Sequence, residues 1–411
     1  IDFSLKSLLK NKIYASKIIL NEPNIKLLRR KSDSTWNYDR IAEASKDTNK
    51  TQSKLQIIAK NIQIKNGKFC YIDSLKTSPY SMKFNPDYLV LDGLDLRCNF
   101  EGNLLKNSFK SKIHHLNAFD VTSGIAIQKL QGNISIDTNS LVADNLIINT
   151  NYFNANSQLS IRNCNLLSSE SNLEKANLQL ELYLSNYNND FINRFTDLPL
   201  QVSGKHDIQL SAAGTFEMLQ INELNILTED IELYMNGQIR RILDEPSFNI
   251  NITDSKIDKF SLSKILPEIS KKLPEFKNLY LRNMLVKGSG ERIFSNFDIK
   301  VDNGGLAGKA ELILNEPIQY NINISTNNFD LAYVIPEKSV QGNVNSQIVI
   351  TGKGTSLNDL NTSVKINLNN SSIEEIYCNK LELIANYKNK DLEIDRLFVQ
   401  FENDTMRNKS I

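Results

Sequence analysis

Apolar and polar residues alternate with a period of two through most of the chain. Leu94, Leu96, Cys98 and Phe100 alternate with Asp95, Arg97 and Asn99, and Leu178, Leu180, Leu182 and Leu184 with Gln179, Glu181 and Tyr183. The same rhythm places Phe248, Ile250 and Ile252 against Asn249 and Asn251, and Tyr320, Ile322 and Ile324 against Asn321 and Asn323. Val364, Ile366 and Leu368 alternate with Lys365 and Asn367, while Ile62, Ile64, Phe69 and Tyr71 flank a predicted turn at Asn66-Gly67. Successive side chains of a strand point to opposite faces, so each run predicts a strand with one apolar and one polar face. Predicted helices are few and short: Leu5–Leu9, Trp36–Ala44 with Asn37 as N-cap, Asn189–Phe195, and Phe260–Leu273 interrupted by Pro267. No βαβ rhythm is present, which argues against a parallel Rossmann or barrel architecture. The polar stretch Ser45–Lys54 marks a candidate boundary.

Two stretches repeat one another. Gly237–Ile252 and Gly308–Ile324 each hold a Gly, an apolar run, Glu-Pro, an aromatic residue and Asn-Ile-Asn-Ile. The Asn-Ile-Asn-Ile blocks start at Asn249 and Asn321 (321 − 249 = 72 residues). Each is followed by a short apolar patch ending in Pro-Glu, Leu262–Glu268 and Leu331–Glu337, read as helical. Self-similarity of this kind marks an array grown by adding strands rather than an enzyme built around one pocket.

About 25 one-faced strands at ~4.8 Å spacing would stack to on the order of 120 Å. A flat sheet of that length with a bare apolar face would aggregate. Stacked sandwiches, a closed barrel, or a curled sheet whose apolar interior receives a guest would each solve this. The near-neighbour repeat favours the third without excluding the first. The expected fold is therefore mostly β: an elongated, curled antiparallel sheet forming an open hydrophobic groove, with a few short helices. A phospholipid acyl chain suits such a groove, gaining ~0.8 kcal/mol for each CH₂ removed from water. The candidate lining residues are Ile62, Ile64, Leu178, Leu180, Leu182, Phe248, Ile250, Ile252, Tyr320, Ile322, Ile324, Val364, Ile366 and Leu368. Because apolar contact is non-directional, a lipid could slide along the groove with its head group in solvent. The alternatives left open are a sealed protein core, a scaffold offering its sheet edges to folding barrel proteins, and an extracellular adhesin-like array.

At 411 residues the chain exceeds one ordinary domain. Lys plus Arg (48) and Asp plus Glu (47) balance, which argues against a nucleic-acid partner, since electrostatic binding needs a positive field. The cysteines Cys70, Cys98, Cys164 and Cys378 form no Cys-x-x-Cys pair and do not cluster with His114, His115 or His206, so no metal site is expected. They read as small buried apolar side chains, with a Cys70–Cys98 disulfide as the alternative. No apolar run reaches the ~18 residues of a transmembrane helix. The chain opens at Ile1 and stops at Ile411 without a closing element, so both ends read as cut.

Candidate chemistry is sparse. His114-His115 reads as a solvated strand end, since no acidic or thiol partner sits at ligand spacing. Gly352-Lys-Gly-Thr lacks the spacing of a phosphate loop and reads as a turn. Arg29-Arg30-Lys31 reads as a solvated turn, with contact to anionic head groups as the sharper alternative. No nucleophile–base grouping or paired-carboxylate pattern stands out. The expectation is a protein that is not an enzyme and needs no cofactor.

Several segments resemble AsmA-like proteins, and most closely TamB-like proteins of the Bacteroidota. The opening Ile1–Arg30 contains a strand of the family's type over Ile19–Leu27. The basic turn Arg29-Arg30-Lys31 follows, and Trp36-Asn37 leads towards Ala44. Ile62–Asp73 is similar to the strand pair that comes next in the family, and Thr351–Leu360 to its recurring Gly-x-Gly-Thr-x-Leu-x-Asp-Leu element, with a weaker echo in Ala213–Leu219. The expected organisation is an N-terminal AsmA-like strand/helix segment over 1–45 and a repetitive groove array over 55–411, with the internal repeat giving units near 204–268 and 288–337 that continue through 340–411. The resemblance also implies a periplasmic bridge, anchored in the inner membrane by a helix outside this chain, that carries phospholipid to the outer membrane or assists outer-membrane protein assembly. The C-terminal domain that would meet an outer-membrane barrel partner is likewise outside this chain.

Overall fold

The computed structural model describes residues 12–31, 34–37, 56–75, 84–103, 106–167, 173–187, 206–228, 231–265, 276–331, 342–373, 376–401 and 405–407. Contacts divide the chain into two units: residues 1–200 with 204–216, and residues 201–203 with 217–411.

The first unit holds β1 (Lys12–Ala15), β2 (Ile18–Asn21), β3 (Asn24–Arg29), β4 (Gln56–Asp73), β5 (Tyr88–Asn103) and β6 (Ser108–Asp120). It continues with β7 (Ile125–Ile136), β8 (Ser140–Thr150), β9 (Asn154–Arg162), β10 (Asn177–Tyr187) and β11 (His206–Thr215). From β4 to β11 each strand pairs antiparallel with the next, which makes a meander. The second unit is a meander of the same kind. Its strands are β12 (Met218–Leu227), β13 (Ile231–Arg240), β14 (Ser247–Asp258), β15 (Asn278–Ser289), β16 (Arg292–Val301) and β17 (Gly304–Ile313), then β18 (Gln319–Asp330), β19 (Gly342–Lys353), β20 (Asn361–Ile373), β21 (Ile376–Lys388), β22 (Asp391–Phe401) and β23 (Thr405–Arg407). Among the described residues no pairing joins the first strand of either unit to its last, so both sheets are open.

The antiparallel expectation fails at the N-terminal edge. There β1, β2 and β3 run parallel to β4, and Lys12 opposes Gln56, Ile18 opposes Ile62 and Asn24 opposes Lys68. All three pairs keep one offset, so the segment tracks a single long strand with two brief breaks. The predicted hairpin at Asn66-Gly67 also fails, because β4 runs straight through it. Asn66 takes a left-handed φ of 48° and Gly67 is buried. The Asn66 amide donates to Asp95 Oδ1 at 2.9 Å. That makes a bulge, which keeps the strand and bends it, where a hairpin would end it.

Bulges of this kind recur. In the second unit Asp254, Asn328 and Asn370 have φ of 48°, 49° and 42°. Side chains hold the backbone groups that these bulges release from the ladder. The Tyr234 amide donates to Ser255 Oγ (2.9 Å), Asn328 to Asn345 Oδ1 (2.8 Å) and Asn345 to Ser371 Oγ (2.9 Å). Asn and Asp suit the role because they tolerate positive φ. Each bulge bends its strand and raises its twist, and this curls the sheet.

Of the predicted helices, α1 (Lys259–Ile265) forms, capped by Asp258 Oδ1, which accepts the Phe260 amide at 2.8 Å. Leu5–Leu9, Asn189–Phe195 and residues 38–44, 266–273 and 332–337 lie outside the described residues, as does the candidate boundary at 45–54. Asn37 itself is described, and its side chain bonds to β3. Its Oδ1 accepts the Leu28 amide at 3.0 Å, its Nδ2 donates to the Lys26 carbonyl at 2.7 Å and its own amide donates to the Leu28 carbonyl at 2.9 Å. One asparagine thus satisfies the outer edge of β3 as a neighbouring strand would. Beside it Arg29, read from the sequence as part of a solvated turn, lies in β3 and pairs with buried Asp73 at 3.2 Å.

Candidate binding face

Register decides which alternating residues share a face. In the second unit Ile250, Val286, Ala310, Ile322, Ile350 and Val364 stand in one row, each in register through the intervening strands. A second row carries Phe248, Ile293, Leu312, Tyr320 and Tyr387. A third carries Ile252, Met284, Phe297, Ile324, Ile348 and Ile366. Eight of the predicted lining residues therefore lie in three adjacent rows of one face. Ile250 and Ile322, equivalent in the repeat, sit in the same row four strands apart. The glycines of the two stretches are not equivalent: Gly237 opposes Ile250 and Gly308 opposes Ile324, one row away.

The opposite face is mainly polar. Asn249, Lys287, Glu311, Asn321, Thr351 and Ser363 stand in its matching row, interrupted by Phe294 between Lys287 and Glu311. Further along it Glu382 bridges Lys380 at 2.7 Å and Arg396 at 2.6 Å. These partners, with the Lys380 hydrogen bond foremost, hold the Glu382 carboxyl below its ordinary range.

Burial along the apolar face is uneven, and the bulges mark the change. Beyond them lie two packed clusters. One joins Phe276, Val301 and Phe329, with Leu262 of α1 packed on it, and the other joins Val344, Leu368 and Cys378. Burial pushes the Cys378 thiol pKa up, as an apolar surrounding should. On the near side the three rows are only half-buried, and Phe248 is 37% exposed. Apolar side chains there are aligned from strand to strand, and no packed cluster among the described residues seals them. Leu368, a predicted lining residue, falls on the sealed side at 6% exposure.

The first unit repeats the arrangement. Leu178 shares a row with Ile161, Leu141, Ile136 and Phe109, and Leu180 with Leu159, Ala143, Ile134 and Phe100. Leu182 opposes Leu210. Alternation on β10 is regular: Leu178, Leu180 and Leu182 are half-buried while Gln179, Glu181 and Tyr183 are exposed. Ile62 opposes Ile18 and Cys98, whose thiol pKa is raised by burial. Ile64, at 8% exposure, belongs instead to a packed cluster with Leu91, Leu94 and Ala118.

The four cysteines are buried thiols. Cys98 stands opposite Ile62, whereas Cys70 lies eight residues further along β4. That separation is roughly 25 Å at strand rise, far beyond the ~6 Å of a disulfide. His114 and His115 are exposed on β6, at a register shift. The Gly352-Lys-Gly-Thr segment closes the turn between β19 and β20, where Ser356 donates its amide to Asp359 Oδ1 at 2.7 Å. Among the described residues no cluster of three or more His, Cys, Asp or Glu is placed to hold a metal, and no helix is long and apolar enough to cross a membrane. Comparison with family models, with proteins of curated function and with solved structures gives no match for this chain.

Proposed function

We propose that the chain is a lipid-carrying segment, holding phospholipid acyl chains against the half-buried rows while head groups stay in solvent. The observation that carries this reading is the contrast across the bulges. The same strands are sealed by packed clusters on one side and left half-open, in register, on the other. A protein without a guest for that surface would expose an apolar stripe several strands wide, which favours aggregation. An acyl chain laid across the rows gains ~0.8 kcal/mol per CH₂ removed from water, so about 16 carbons are held by on the order of 10 kcal/mol. Binding has no directional component, so movement between rows meets small barriers. The role is binding and transfer, with no chemical step.

The motif resemblance to AsmA-like proteins supports the wider setting we propose: a periplasmic bridge, anchored in the inner membrane and serving outer-membrane biogenesis. A second reading, a scaffold that pairs with folding barrel strands, draws on one observation. Among the described pairings, Asp391–Leu397 of β22 has no neighbour on its outer side, and Leu392 and Ile394 there are 65% and 46% exposed. Mass spectrometry of lipid extracted from the natively purified chain separates the two. Stoichiometric phospholipid is expected; its absence together with captured barrel strands would favour the scaffold.

A further inference from the structure

The near-zero net charge hides an uneven distribution. Residues 1–75 hold 15 of the 48 Lys and Arg but only seven of the 47 Asp and Glu. On β1 to β4 and the turn after β3, the described residues include nine Lys or Arg and two carboxylates, Glu22 and Asp73. Asp73 is buried and already faces Arg29. The constant parallel offset puts the lysines on one side. Ile13, Ile18, Ile62 and Ile64 point to the apolar face, so Lys12, Lys26, Lys60, Lys65 and Lys68 fall on the other, and all five are exposed. Lys60 lies over the Tyr14 ring at 5.7 Å, and Lys68 approaches Asp92 at 3.6 Å. Ile19, 39% exposed, stands among the lysines.

We infer that this edge is a docking surface for an anionic bilayer leaflet. The strip follows a strand of 18 residues, about 60 Å at strand rise, long enough to meet many head groups at once. Its charges are lysine ammoniums, point charges suited to a mobile layer of phosphates, without the arginine forks that read fixed groups. Ile19 can enter the boundary between head groups and acyl chains. A nucleic acid fits less well, since Tyr14 is half-buried beneath Lys60 and, among the described residues, no row of exposed aromatics offers bases a stacking platform. Asn37 occupies the outer edge of β3, so strand addition is blocked there while the lysine face stays free. Docking needs only this charge and register, whether or not the half-buried rows hold lipid. If they do, docking brings the bilayer beside the first apolar rows.

The test is co-sedimentation of the whole chain with phosphatidylglycerol-rich vesicles and with pure phosphatidylcholine vesicles. Binding is expected only to the anionic vesicles and should weaken with salt. Each basic residue near such a surface is worth roughly fivefold in partitioning. Lys12→Glu/Lys26→Glu/Lys65→Glu should therefore lower binding on the order of 100-fold. The control Lys287→Glu/Lys309→Glu/Lys353→Glu, with the same charge change in the second unit, should bind nearly as the parent does. Circular dichroism checks folding, and the milder Lys→Gln triple replaces the Glu triple should that one fail to fold. Unchanged binding by the edge triple, equal loss in the control, or equal binding to neutral vesicles overturns the proposal. So does tighter binding of single-stranded RNA that is lost with the same three lysines. Lipid retained during purification is read separately: the edge triple should keep it, whether or not vesicle binding is lost.

Discussion

An aspartate placed on the apolar face should be tolerated on one side of the bulges and not on the other. Ile322 in β18 is half-buried, and Val301 in β16 is 4% exposed within the cluster of Phe276 and Phe329. Fully burying an Ile side chain is worth ~1.5–3 kcal/mol, so a half-buried one contributes about 1 kcal/mol. The new carboxylate at 322 can stay hydrated through the open side, and Ile322→Asp should cost roughly 1–2 kcal/mol. At 301 the charge would enter a sealed apolar cluster, where an unpaired ion costs several kcal/mol, and Val301→Asp should cost about 4 kcal/mol or unfold the second unit outright. Lipid retention should respond in the opposite order. One strand spacing along the face is covered by about four methylenes, so a charge at 322 should weaken acyl binding by roughly 3 kcal/mol, about 100-fold. The assay is urea unfolding of the second unit followed by near-ultraviolet circular dichroism, with phospholipid quantified on the folded protein. Equal destabilisation at the two positions would show that the half-buried rows are a closed core, and the reasoning would fail.

Gly237 is a steric requirement: a Cβ there would meet the Asn249 carbonyl oxygen at 2.2 Å and Ile250 Cα at 2.8 Å. Gly237→Ala should cost ~2–4 kcal/mol, whereas Gly290→Ala, at φ +54° with nothing within 4 Å, should cost about 1 kcal/mol; chemical denaturation compares them. Asn37→Ala should speed hydrogen exchange at the Leu28 amide and cost about 1 kcal/mol, because it removes the groups covering the β3 edge. Burial, with a smaller contribution from Asp207, pushes the Tyr187 pKa up to about 12. The folded protein therefore keeps a proton that the unfolded chain releases near pH 10, so stability should fall as pH rises from about 10 to about 12. Tyr187→Phe should flatten that part of a thermal-melt profile.

Period-two alternation was enough to place β10, β14, β18 and β20 and to sort their faces, because side-chain direction follows directly from strand geometry. Alternation does not reveal what lies above a face. Ile64 and Leu368 alternate as Leu180 and Ile322 do, yet they sit in packed clusters formed with the adjacent strands beside the bulges. Asn66-Gly67 has the composition of a hairpin turn, and whether it turns or bulges depends on the partner strand that supplies Asp95. The parallel edge carried no local signal, since β1 to β3 and β4 are joined through residues 30–55. The basic edge was legible in the sequence, but only in the charge of the first 75 residues, not in the chain total.

The most direct test of the central claim is to find where an acyl chain lies. A phospholipid with a photoreactive group in its acyl chain, incorporated into the native chain and irradiated, should label peptides containing Phe248–Ile252, Tyr320–Ile324 and Val364–Ile366, and Ile322→Asp should suppress that labelling. Labelling confined to the polar face around Asn249, Glu311 and Asn321, or no specific labelling while the protein stays folded, would contradict the account.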